Sequence, residues 1–98
     1  MPYVVLTVAM PDCAELRARV RPDHVKYLDS IQGKLLAAGA LLGDDGSDGH
    51  GSLFIYDTDD RKEAEALIAD DPFSKAGLFQ KTTVTRWRKG YFDKRKLI

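Results

Sequence analysis

The sequence predicts an α+β domain in which one four-stranded antiparallel sheet carries two helices on a single face. Three observations lead there. Two segments, around 3–10 and 51–56, are β-branched and aromatic with no polar side. Two others repeat their apolar residues at three- and four-residue steps. Turn-forming residues separate these segments in the order β-α-β-β-α-β. The 98 residues suit one domain, large enough to bury a core without metal or disulfide staples. With 44% apolar and 31% charged residues, the composition is that of an ordinary globular protein.

Tyr3-Val4-Val5-Leu6-Thr7-Val8-Ala9-Met10 reads as a central strand buried on both sides, ended by Pro11-Asp12. From about Cys13 to Gln32, the recurrence of Leu16, Val20, Tyr27, Leu28, Ile31 and Leu35 has the period of an amphipathic helix. Pro22 lacks a backbone donor, so it should kink this helix or open its main part. Ala37–Leu42 reads as a second strand and Gly51–Tyr56 as a third. Gly43–Gly49 between them is rich in residues that tolerate positive φ, as a hairpin loop requires. Asp60, three residues before Glu63, has the spacing of a capping box. The second helix therefore starts there, buries Ala64, Leu67 and Ile68, and must stop before Pro72. Lys81–Arg88 alternates as a last strand. This is the split βαβ order of the ferredoxin-like fold, with right-handed crossovers placing both helices on one face. The other face would be bare and apolar, which monomers rarely tolerate. A homodimer is expected.

No apolar run approaches the ~20 residues of a membrane span, and the start lacks the features of a signal peptide. Cys13 is the single cysteine, which suits a reducing, cytoplasmic location. The net charge of zero hides an asymmetry. Residues 1–79 carry 14 acidic and 8 basic side chains, whereas residues 80–98 carry 7 basic ones and Asp93. Such a tail can grip nucleic acid or a membrane surface, or it can be a solvated terminus that blunts a sheet edge. The acidic remainder favours the second reading, with no nucleic-acid or membrane partner.

On a helical wheel Arg17, Arg21 and His24 fall within roughly 60° of one another, beside the apolar stripe. Two guanidinium groups next to an imidazole suit a small anionic ligand. The same three residues also fit a half-buried structural histidine flanked by solvated arginines. Topology bears on the choice, because the second helix ends where the first begins. Asp70-Asp71-Pro72-Phe73 lies at that end, and a carboxylate there could orient His24 as a general base. It could also simply cap the turn before Pro72. Other motifs fail. The Asp44–Gly49 loop lacks the closing glutamate of a calcium loop, and His50 and Cys13 lack partners at zinc spacing. No phosphate-binding glycine loop is present, so neither metal nor cofactor is implied. The third strand also has Ser52 where an RNA-recognition motif places its first stacking aromatic.

Residues 2–92 resemble the YCII-related (YciI-like) family of dimeric α+β barrel proteins. The resemblance is carried by Tyr3-Val4-Val5-Leu6, the helix segment Arg17–Leu28, Gly39-Ala40-Leu41-Leu42, Gly51-Ser52-Leu53 and Asp71-Pro72-Phe73-Ser74-Lys75-Ala76-Gly77-Leu78-Phe79. Ala40 departs from it, since the family often has proline there, and residues 93–98 extend past the usual end as a basic C-terminal tail. The resemblance implies a catalytic His24–Asp71 dyad. It implies proton-transfer chemistry of isomerase or lyase type on a small anionic or phenolic molecule, with Arg17, Arg21 and Ser52 as candidate substrate-binding residues. A ligand-binding domain without turnover is the alternative.

Overall fold

The computed structural model describes all residues from Met1 to Ile98. Strand β1 (Tyr3–Ala9) is followed by helix α1 (Ala14–Ser30), a short 3₁₀ turn at Gln32–Lys34, and strands β2 (Leu35–Leu41) and β3 (Gly51–Tyr56). Helices α2 (Arg61–Ala69) and α3 (Pro72–Lys75) precede strand β4 (Phe79–Arg86). The strands pair in the order β2-β3-β1-β4, antiparallel throughout. This is the expected ferredoxin-like sheet, with the two most apolar strands at its centre.

Alternation decides what each central residue touches. Tyr3, Val5, Thr7 and Ala9 of β1 point to the helices and are buried, as are Phe54 and Tyr56 of β3. Tyr3, Val5, Phe54 and Tyr56 form one core with Ala64 and Ile68 of α2, packed against Leu28 of α1 and Ile31 just past its end. A second core joins Ala9, Cys13, Phe73 and Leu78, with Leu16 and Val20 alongside. Both helices therefore cover the same face. On the opposite face Val4 pairs with Ile55 and Leu6 with Leu53, and Leu6 and Val8 are 43% and 46% exposed on the single chain.

Several expected boundaries shift. Pro22 neither starts nor divides α1, which runs through it as one helix. Leu35 is the first residue of β2, not the end of the helical stripe, and a register irregularity separates it from Ala37. β4 begins at Phe79, two residues early, because Phe79 pairs with Ala9 across a bulge. Its continuation past Arg86 is a single backbone bond from Trp87 to the Pro2 carbonyl. At α2 half of the expected capping box forms. Asp60 accepts from the Lys62 N–H at 2.9 Å, while its own N–H donates to Thr58 Oγ1. The C-terminal residues close a separate two-stranded hairpin, β5 (Tyr91–Phe92) with β6 (Arg95–Lys96).

Candidate functional site

α1 sends His24 inward between the sheet and the end of α2. Its Nδ1–H donates to Asp71 Oδ1 at 2.8 Å, with His24 13% and Asp71 0% exposed. The same Oδ1 accepts the Phe73 N–H at 2.9 Å, which makes Asp71 the N-cap of α3. Pro72 at the first helical position suits that cap, because its fixed φ is already helical and its missing N–H would go unused. Asp71 therefore caps a turn and orients His24 at once, through one oxygen.

Aromatic rings fix the imidazole from two sides. Phe73 stacks on it at 3.9 Å between centroids and 14° between planes. Phe54 meets it edge-on at 6.2 Å. With Nδ1 committed to an ionised carboxylate, the ring's other nitrogen, Nε2, carries the free lone pair.

Beside His24 lies a cavity of about 350 Å³. Arg17 and Arg21 line it from α1, Ser52 and Phe54 from β3, Ala38 and Ala40 from β2, and Phe73 from α3. Asp71 stays behind His24, outside the lining. The five candidate residues of the sequence thus meet at one place, four on the cavity and one behind it. Two residues that pattern reading missed are there as well. Phe73 follows the Asp71-Pro72 pair in sequence with no pattern of its own, and its contact with His24 depends on α3, a helix too short to show a period. Asp48, from the β2–β3 loop, lines the same cavity as the arginines. Its signal is hidden in a loop whose composition speaks only of turns. No group of three His, Cys, Asp or Glu side chains comes together as a metal site would need.

Tyr27 borders the dyad from α1. Its hydroxyl donates to the Leu67 carbonyl at 2.6 Å. Burial, then the charges of Asp70 and Asp71, push its pKa up to about 12. Deeper in the core, burial and then the Asp71 charge raise the Tyr56 phenol further in the same direction.

Fold and site together define a ferredoxin-like α+β protein with a histidine–aspartate pair whose histidine lines a small-molecule-sized pocket. The chain belongs to the YCII-related family, whose domain model matches residues 1–88. It is 30% identical over 96 residues to Protein YciI of Shigella flexneri, covering 91% of this chain and 98% of that protein. A solved structure of 5-chloro-2-hydroxyhydroquinone dehydrochlorinase (TftG) from Burkholderia phenoliruptrix AC1100, in complex with 2,5-dihydroxybenzoquinone, has the same fold. The TM-score is 0.83 at 31% identity, over 92% of this chain and 96% of that one.

Proposed function

We propose that this protein is a small-molecule enzyme in which His24, oriented by Asp71, transfers a proton on a small anionic or phenolic substrate. The observation that carries this reading is the 2.8 Å His24–Asp71 contact at the wall of a cavity bordered by Arg17 and Arg21. Asp71 holds one tautomer, so Nε2 is the nitrogen that takes the substrate's proton. The imidazolium that forms is stabilised by the carboxylate behind it. The arginines hold the negative charge of the substrate, and the Ser52 hydroxyl lies on the same wall as a hydrogen-bonding group. In an elimination of lyase type, the first phenolic proton taken by His24 is returned to the ring carbon that bears the leaving group, which makes a ketone; loss of a second phenolic proton then sends its electron pair through the ring, and the leaving group departs with the pair of its own bond. In an isomerisation the same proton returns at another atom. The likeness to a dehydrochlorinase solved with a dihydroxybenzoquinone supports a hydroxylated ring as substrate class.

The test uses 5-chloro-2-hydroxyhydroquinone as substrate and 2,5-dihydroxybenzoquinone as binding probe. Chloride release by the wild type, reduced about 10²–10⁴-fold in His24→Asn, is the expected result. Probe binding should weaken in Arg17→Ala and Arg21→Ala and with added salt. Binding of the probe with no turnover of this or related ring substrates would instead make the protein a ligand-binding domain.

The functional unit in this proposal is a cytoplasmic homodimer formed through the open sheet face, with residues 1–92 as the folded unit and 93–98 as a peripheral basic tail. The exposure of Leu6, Val8 and Leu41 supports it. The interface should bury more than roughly 1,200 Å² in total.

A further inference from the structure

Besides Thr7 Oγ1, two buried side-chain oxygens have no hydrogen-bond partner, Tyr56 Oη and Asp71 Oδ2. Both residues are 0% exposed. Native folds rarely leave such groups unsatisfied. The two also belong to one neighbourhood. Tyr56 stacks on Phe54 at 5.8 Å and 12°, and the edge of Phe54 meets the His24 ring. Tyr56 packs in the same core as Ile68, whose carbonyl accepts the Asp71 N–H at 3.2 Å. A phenol has the proton that a carboxylate oxygen lacks, and burial beside Asp71 keeps that proton in place.

We propose that Tyr56 is a positioning residue whose hydroxyl is linked to Asp71 Oδ2 across one buried water. Oδ2 would then be held from behind while Oδ1 takes the His24 and Phe73 protons. The result is a chain from Tyr56 through Asp71 to His24, in which the carboxylate is fixed on both oxygens. The catalytic meaning of this chain rests on the proposal that His24 is the base, but the hydrogen bond itself does not.

Tyr56→Phe in the whole protein tests it, because the ring and its stacking on Phe54 remain and one oxygen is lost. Two readouts are taken at fixed protein concentration: the proton and nitrogen resonances of the His24 imidazole, and Tm. A carboxylate that loses a donor accepts more strongly, so the His24 Nδ1–H resonance should move downfield. Tm should fall by about 4–8 °C, the effect of one lost hydrogen bond in a domain of this size. Of the other ionisable groups around the dyad, Tyr27 is the control. Its hydroxyl is committed to the Leu67 carbonyl, so Tyr27→Phe should leave the His24 resonances in place. Asp70, Arg17, Arg21 and Asp48 are unchanged in both variants. If Tyr56→Phe leaves the imidazole resonances at their wild-type positions, the proposal is overturned. A Tm that holds or rises would then mark the hydroxyl as unpaired, and a lower Tm would mark it as paired elsewhere. Shifted resonances support the proposal whatever Tm does. No readout requires turnover, so an inactive wild type would remove the enzyme reading and leave this result standing.

Discussion

The two faces of the central strands are built from nearly the same residue types and have opposite fates. Val5 and Phe54 face the helices and are essentially inaccessible to solvent, whereas Leu6 and Val8, at alternate positions of β1, stand half in water. Composition therefore does not decide burial here. What decides it is which face the two crossovers cover, and that follows from their handedness. The helix-covered face holds the dyad, the cavity and the buried phenols. The open face holds no candidate catalytic residue and leaves the apolar Leu6 and Val8 exposed, the surface that the proposed dimer would cover.

The largest effect should come from breaking the covered face. Phe54→Ala removes a ring that contacts both Tyr56 and His24, and should lower unfolding free energy by about 3–5 kcal/mol in denaturant titration. Leu6→Asp, on the other face, should leave the far-ultraviolet circular dichroism intact and convert the proposed dimer to a monomer by light scattering. A dimer that survives this change would show that the open face is not the interface. The two variants together test whether one side is a core and the other an association surface.

The next effect is one of pH. Tyr27 has its folded pKa raised from 10.0 to about 12, so its neutral form is favoured by the fold. Its contribution to stability is fully present below pH 10 and is lost as pH rises through 10 to 12. Spectrophotometric titration should show a phenol ionising near pH 12 that Tyr27→Phe removes. If no such component exists, the end of α2 is wetter than its packing indicates.

The smallest effect is expected from a region that belongs to neither face. Deleting residues 93–98 removes one strand of the C-terminal hairpin, whose Arg95 and Lys96 are exposed. Tm and the elution volume should be unchanged. A loss of several degrees would show the hairpin docked on the folded unit.

The sheet order was legible because β1 and β3 are continuous apolar runs and because loop composition separates β2 from β3. The exact bounds of β3 follow from Gly51 and Tyr56, whereas β2 lost Leu35 to a helical period that matched it by chance. The C-terminal hairpin was not legible. Its turn uses Asp93 and Lys94 at φ of 54° and 63°, without the glycine or asparagine that ordinarily marks such a turn. For the site, helical spacing grouped Arg17, Arg21 and His24, and the antiparallel helices pointed to Asp71. Phe73 and Asp48 escaped because each reaches the site through a short or irregular segment, where no periodicity operates.

Asp71 Oδ1 accepts from both Phe73 and His24, and this joins two properties that are separate in most proteins. The start of α3 and the tautomer of the imidazole share a single acceptor, so neither can be redesigned alone. Loosening Pro72–Lys75 to admit a larger molecule would also free the imidazole to turn. Asparagine at this position could keep both contacts through its own carbonyl oxygen while discarding the negative charge. Asp71→Asn is thus a way to weigh charge against alignment, a distinction that truncation to alanine would blur.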